Sequence, residues 1–530
     1  MQTGEHVDGQ AVKKPERPYK NLQLSLCDLV GPDYCRAVAG ARAVLTGEKE
    51  RSLSSLIQEK IDFWPQSYRE RLEALLPEVG RNVCHGLEAG TQGAATTSFR
   101  VPSHLERAPL SGLGFIRIGQ DGRAYLLAKS EHYHASMGHR FTGYRLLENA
   151  RKLGIPNATH NNTRGHITRL LERELIRAAN GLAAHDAEGL RAVLASAEKG
   201  VLNRVINLET GSLAVEAGLK MMLARFYASA ASNGVPVHGG KTPVFLVMAD
   251  AKGEATANYH GTTLLAQMLR GMWARLYDRQ ITGGTFIVRP VRINDVRDFA
   301  DAVQEHGQGS RRVAGFLHEI VLMNYGGIRL TQLYLREVYR LCRERGIPVL
   351  VDEIQTCVWS PEVFLFREYG LQPDLVAVGK GFPGGEYASS RIIATAEMDR
   401  LNQFDALVTN GQEEIASLSC LVTLAFVRAN GEAVRSLGEY YESRLRALAE
   451  KHEGKIAKIE GLRHMTSIFF HSAQEADRFA SLLNSQGIDI SAQTYKAESP
   501  PACLTKLPLI STPRMVDFLI AKMDAALAAM

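Results

Sequence analysis

Val349-Leu-Val-Asp-Glu-Ile-Gln-Thr356 and Leu375-Val-Ala-Val-Gly-Lys-Gly-Phe-Pro-Gly-Gly385 are two apolar runs that each end in a reactive group. The first delivers the carboxylate of Asp352. The second delivers the amine of Lys380, 28 residues later (380 − 352). A lysine that enters a glycine-rich turn straight from an apolar run is a candidate for burial, and a buried lysine with a lowered pKa is a competent amine nucleophile toward a carbonyl. A carboxylate at a strand end can hold a proton on an aromatic ring nitrogen and so keep that ring an electron sink. Taken singly, Lys380 also fits a solvated loop, and Asp352 a turn-initiating carboxylate after a buried strand.

Three further features fall into order with this pair. Thr210-Gly-Ser212 precedes a helical stretch; backbone N–H groups and the positive end of the helix dipole make an anion site there, and Gly211 permits close approach. Alone it is an ordinary N-cap. Tyr259-His-Gly261 puts an aromatic ring beside a glycine, where it can lie on a planar ligand or simply pack in a core. On a strand, Ile354 repeats the face of Asp352 and packs against such a ring, while Gln355 at the strand end reaches its phenolic oxygen. An amine, an acid, a phosphate cradle and an aromatic platform in one chain spell pyridoxal phosphate (PLP), with Lys380 forming the Schiff base and Asp352 holding the pyridinium proton.

The elements that position these groups are legible as alternating strands and helices from about residue 165. Candidate strands are 244–249, 285–289, 314–321, 348–352, 375–378 and 391–394, with helices such as Leu330–Arg345 between them, the last ended by Gly346. This alternation predicts an α/β fold with a mainly parallel sheet covered on both faces. Phe115-Ile-Arg-Ile and Arg123-Ala-Tyr-Leu-Leu127 read as a hairpin closed by Asp121-Gly122. Residues 1–20 read as a mobile arm and 21–110 as a helical extension, with Ser52–Ile61 and Tyr68–Leu76 at helical spacing. The expected division continues as 111–164, an N-terminal segment of a small domain; 165–405, the large domain; and 406–530, a small α+β C-terminal domain. In the last, Gly461–Phe470 reads as a strand, followed by helices near 475–485 and from 512.

Composition narrows the function classes. The 530 residues are 45% hydrophobic and 22% charged, with 62 basic against 57 acidic side chains; that supports large folded domains and gives no case for nucleic acid. No apolar stretch reaches the roughly 18 residues of a membrane span, and the polar start is no secretory signal. Seven cysteines, odd in number and without CxxC spacing, read as reduced thiols of a cytoplasmic protein. His132, His134 and His139 could meet one ion, but no metal site is expected.

The motifs resemble those of the class III (ornithine/ω-amino-acid type) PLP-dependent aminotransferases, of fold type I, from roughly residue 111 to 530. The matching stretches are Thr210–Lys220, Tyr259-His-Gly261, Glu319-Ile-Val321, Asp352–Cys357, Lys380 onward, Leu407-Val-Thr-Asn-Gly411 and Ser136-Met-Gly-His139. The resemblance implies that Gly211 and Ser212 hold the phosphate. It puts Tyr259 on the ring, His260, Ile354 and Gln355 among the cofactor-binding residues, and Glu319 near the substrate. Thr409 would be a phosphate ligand donated by a neighbouring subunit, hence a homodimer with shared active sites. The expected reaction moves an amino group between a small amine or amino acid and a carbonyl acceptor in ping-pong fashion, with Lys380 as the proton carrier. The sequence also departs from the family. Leu213 replaces a glutamate, Cys357–Glu362 replaces a glycine-rich loop, and Leu504 stands where many members carry a carboxylate-clamping arginine, with Lys506 nearby. Two readings of Arg164, in the donor-rich run Thr159–Gly165, stand level: a substitute for that clamp, or part of a solvated turn. The same chemistry also serves aminomutases, racemases, decarboxylases and lyases, and a non-catalytic scaffold is the remaining alternative.

Overall fold

The computed structural model describes residues 15, 19–91, 93–100, 104–129, 135–158, 160–228, 237–406, 408–493 and 499–530. Most of the arm expected at 1–20, together with His132, His134, Thr159 and Leu407, lies outside the described residues.

The N-terminal segment forms α1 (Leu26–Val30), α2 (Pro32–Thr46), α3 (Glu50–Gln58) and α4 (Gln66–Ala74). The helical spacing read through Ile61 overruns α3, because Ile61-Asp62 leaves the helix to pair with Gln23-Leu24. Their apolar faces turn onto the body. Leu26, Val30, Leu53, Trp64 and Leu72 join the same buried cluster as Leu146, Ile167 and Phe426, and each fully buried Leu or Val contributes about 1.5–3 kcal/mol. Polar contacts fix the docking. Tyr34 stacks on His166 at 4.6 Å, and Asn430 Oδ1 accepts from the Lys20 backbone N–H at 2.6 Å.

Strands β1 (Ile116–Gly119) and β2 (Ala124–Leu127) form the expected antiparallel hairpin, with Gly122 in the left-handed region at φ 77°. Ile488-Asp489, far along the chain, pairs in parallel with β2. Helices α5 (Arg145–Lys152) and α6 (His166–Ala179) lead into the large sheet. It comprises β3 (Leu202–Leu208), β4 (Thr242–Met248), β5 (Ile287–Val291), β6 (Arg311–His318), β7 (Val349–Asp352), β8 (Leu375–Val378) and β9 (Ser390–Thr395). Among the described residues these are seven strands in the order β3-β9-β8-β7-β6-β4-β5. Pairings from β8 through β5 are parallel, and β9 runs against both its neighbours. Strand β3 escapes the sequence reading because Asn203 and Asn207 break its apolar pattern. Both are buried, and their amides donate to Val193 O and Ser196 O and to Glu172.

Helix α7 (Gly211–Phe226) follows β3, and α8 (Gln332–Arg345) packs between β6 and β7 in sequence, ending at the left-handed Gly346. Beyond the sheet, α9 (Glu414–Lys451) is a 38-residue helix. The strand expected at 461–470 is a hairpin instead, β10 (Lys458–Leu462) and β11 (Met465–Phe469). Its turn lacks the usual glycine. Arg463 takes φ 52° there, held by an ion pair to Glu368 and by its own N–H donating to Glu442 at 2.8 Å. Among the described residues no helix is long and apolar enough to cross a membrane.

Candidate active site

Open α/β sheets bind ligands beyond the carboxyl ends of their parallel strands. Here β3, β6, β7 and β8 each lead into a site residue at that edge. Asp352 closes β7 and Lys380 lies two residues past β8, the strand hydrogen-bonded beside it. Gly211 opens α7 three residues after β3 ends, and Glu319 follows β6 directly.

These residues surround a cavity of about 260 Å³ lined by Glu209, Thr210, Gly211, Ser212, Tyr259, His260, Gly261, Asp352, Ile354, Gln355, Lys380, Pro383, Tyr387, Ala388 and Ser389. The Asp352 carboxylate is fixed at both oxygens. His260 Nδ1–H donates to Oδ2 at 2.7 Å, and the Ile354 backbone N–H donates to Oδ1 at 3.0 Å. The imidazole thus orients the carboxylate that faces the cavity. The side chain of Lys380 is held from a left-handed backbone, φ 41°, a conformation that costs an L-residue about 1–2 kcal/mol. Burial pushes its ammonium pKa down, against the pull of Glu319 and Asp352. The next residue, Gly381, packs so close to Trp359 that a Cβ there would lie 2.5 Å from its ring.

At the other end, Thr210 Oγ1 accepts from the Leu213 N–H at 3.4 Å and starts α7, whose first-turn N–H groups point outward for an anion. Ser212 Oγ accepts from Thr262 N–H at 3.1 Å. The Arg270 guanidinium lies 5.2 Å from the centroid of the Tyr259 ring, and burial raises that phenol's pKa.

The donor set fits pyridoxal phosphate. A Cβ at Gly211 would come within 2.5 Å of Ile354, so the cradle admits only glycine without displacing that side chain. Gln355 Nε2 donates to Glu319 Oε1 at 3.3 Å, and among the described residues its buried Oε1 has no partner. Asp352 with Lys380 stands opposite a helix N-terminus suited to phosphate.

Eight of the residues singled out in the sequence therefore share one cavity: Gly211, Ser212, Tyr259, His260, Asp352, Ile354, Gln355 and Lys380. Ile354 and Gln355 reach it from the turn after β7 rather than from the strand itself, which ends at Asp352. Glu319 is buried behind Gln355. Thr409 is exposed and outside this chain's cavity lining. Arg164 is also outside it, its Nε 3.3 Å from Glu172. His139 is mostly buried, and burial lowers its pKa. Tyr387 and Ser389 escape the sequence reading. They line the cavity because antiparallel β9 starts at the edge where the other strands finish.

The fold and the cavity define a PLP enzyme of fold type I. Residues 172–510 match the family model of class-III aminotransferases, more than half of the chain. The chain belongs to that family, and it is a PLP-dependent aminotransferase. The ornithine aminotransferase of Bordetella pertussis is 27% identical over 334 residues, covering 62% of this chain and 73% of the relative. The acetylornithine aminotransferase of Nostoc is 27% identical over 265 residues, 49% of this chain and 57% of the relative. In structure, the adenosylmethionine-8-amino-7-oxononanoate aminotransferase of Methanocaldococcus jannaschii superposes with a TM-score of 0.63 at 17% identity, covering 87% of this chain and 99% of that one. An ornithine aminotransferase of Toxoplasma gondii with PLP at partial occupancy in its active site gives 0.63 at 18%, covering 84% and 96%.

Proposed function

We propose that Lys380 is the group that binds the cofactor covalently and moves the proton during amino transfer, and that Asp352 is the acid paired with the ring nitrogen. The observation that carries this is their meeting in one cavity from adjacent strands, with the N-terminus of α7 opposite. When bound, PLP supplies the carbonyl that takes the amino group and a ring that accepts electrons. The chain's own residues do the rest. Burial keeps a larger share of Lys380 neutral and able to accept a proton. His260 and the Ile354 N–H keep the Asp352 carboxylate aimed. With the cofactor bound, Gly211 and Ser212 would hold its phosphate, Tyr259 and Ile354 would confine its ring, Gln355 would meet its phenolic oxygen, and Glu319, buried outside the cavity lining, would act toward the substrate through its contact with Gln355. The donor is an amine or amino acid and the acceptor a carbonyl compound; three of the four proteins named above are ornithine or acetylornithine aminotransferases. Lys380→Ala should abolish turnover by on the order of a thousandfold or more and remove the visible absorbance of the lysine-bound cofactor. Retention of both would refute the assignment.

The same reading makes the enzyme a cytoplasmic homodimer in which Thr409 completes the partner's phosphate site, with residues 165–405 as the PLP-binding domain and 21–110 as an extension outside the chemistry. Free cysteines, most of them buried, support the compartment. Exposed Thr409, 88%-exposed Phe404 and 62%-exposed Trp273 support a second copy covering this side. A light-scattering mass near the monomer's 58.3 kDa, or recovery in a membrane fraction, counts against it.

A further inference from the structure

We propose that Arg391, working through the Ser389 hydroxyl, is the fixed positive charge by which the cavity selects the phosphorylated form of its cofactor. This rests on the reading of the cavity as the PLP site and adds a positioning residue to it. Strand register places the pair. Where β9 runs antiparallel to β3, Ser390 lies opposite Leu208 and Arg391 opposite Asn207. Ser389 therefore stands beside the turn at 209–212 that opens α7, the end of the cavity suited to phosphate, and it lines that cavity. Arg391 lies one step behind. Its Nη1 donates to Ser389 Oγ at 2.7 Å and to the carbonyl oxygens of Ser390 at 2.8 Å and Leu208 at 3.3 Å. Its Nη2 donates to Ser417 Oγ, on α9, at 3.2 Å.

The guanidinium lacks a bonded counter-ion. Arg391 is 1% exposed, and buried charges are ordinarily paired. All four of its hydrogen bonds end on neutral oxygens, and among the described residues its Nε has no partner. Burial pulls its pKa below the ordinary arginine value, against the pull of Cys420, Glu172 and Glu413. Both carboxylates are engaged elsewhere. Glu172 stands 3.3 Å from Arg164 Nε and accepts from the Asn207 amide at 2.6 Å; Glu413 accepts from the Gly411 N–H at 2.7 Å. Burial also raises the Glu172 pKa, which disfavours its charge. The cavity has the opposite shortage. Among its described lining residues there is no arginine; Lys380 is the reacting amine, and Glu209 and Asp352 are acids. A phosphate at the N-terminus of α7 supplies the anion that this buried cation lacks.

Ser389 carries the charge to the cavity surface. Its Oγ accepts from Arg391 and, at 3.9 Å, from the Cys420 thiol. That uses both lone pairs and leaves its own O–H to donate. A hydroxyl that accepts from a cation is a stronger donor in turn. Arg270, the guanidinium on the Tyr259 ring, is only half-buried, so solvent screens it more than Arg391.

The test titrates the full chain, freed of cofactor, with PLP and with pyridoxal, which lacks the phosphate, and reads the visible absorbance of the lysine-bound cofactor. In Arg391→Gln the Kd for PLP should rise roughly tenfold to a hundredfold while that for pyridoxal stays put. Arg391→Lys keeps the charge and should recover part of the loss. Ser389→Ala leaves the arginine in place and should raise the PLP Kd by less, again with pyridoxal unmoved. Arg270→Gln should keep the wild-type ratio of the two Kd values. Equal weakening of PLP and pyridoxal in Arg391→Gln and Ser389→Ala would overturn the proposal, as the mark of a wall that merely lost its shape. So would an unchanged ratio in Ser389→Ala where Arg391→Gln fails to fold, or a larger loss of phosphate preference in Arg270→Gln than in Arg391→Gln. A wild-type chain that takes up neither compound would instead sink the reading of the cavity itself.

Discussion

The open cavity and the sealed layer beneath it hold the same kinds of group to opposite ends. Asp352 and Glu353 are neighbours, both buried. Asp352 turns to the cavity and is aimed by His260. Glu353 turns away and accepts from the Phe366 N–H at 2.6 Å and from Thr356 Oγ1 at 2.6 Å, its pKa pushed up by burial to about 7. Lys380 and Lys506 form a second pair. Burial lowers both pKa values, but Lys380 opens into the cavity while Lys506 is fully enclosed, its Nζ 3.8 Å from the centroid of the Trp359 ring. Trp359 in turn is pinned by its indole N–H donating to Leu507 O at 3.0 Å. A buried lysine with a low pKa therefore does not identify a catalytic lysine. Room for a reactant and an oriented acid opposite do.

Asp352→Asn should give the sharpest break between the two regions. It keeps the shape but removes the charge that matches a protonated ring nitrogen. Turnover should fall by about a hundredfold to a thousandfold, and cofactor affinity should weaken, while the thermal midpoint moves little because Asn can still accept from Ile354 N–H. If Glu353→Gln lowered turnover equally, the division into a working face and a structural face would be wrong.

Why the sequence showed one face so well and the other poorly follows from local against distant causes. Asp352, Lys380 and the Thr210–Ser212 turn each follow an apolar run or open a helix, so position in the chain marks them. Six of the seven strands of the large sheet stand within a few residues of their expected spans. The seventh, β3, was hidden by two asparagines whose amides are satisfied only by tertiary contacts. Tyr387 and Ser389 depended on the direction of β9, which no residue pattern encodes. Arg151 reaches Tyr387 from a helix 236 residues earlier in the chain, a proximity no spacing rule reveals. The helices of the extension were legible from periodicity, whereas their docking on His166, Asn430 and Arg145 belongs to the folded surface.

Lys506→Met tests the sealed side with the smallest expected effect. The lysine's folded pKa lies well below its ordinary 10.5, with burial first and the charge of Lys380 second as causes. Unfolded, the amine stays protonated until the pH reaches the ordinary lysine range, so at neutral pH folding must strip a proton from it or bury its charge. That penalty is full at low pH, shrinks as pH rises, and vanishes above the unfolded value. Methionine fills the same space without a charge, and replacing buried charge with a matched apolar group is neutral to stabilising by about 1 kcal/mol or somewhat more, the scale of the effect expected here. The variant should therefore melt slightly above wild type at pH 7, the gap should close as pH approaches the lysine range, and cofactor absorbance should persist. Thermal scans from about pH 6 to 10 would check it; a variant that melts lower at pH 7, or that loses the absorbance, would show that the ammonium on Trp359 supports the turn carrying Lys380 and that the two lysines act as one unit.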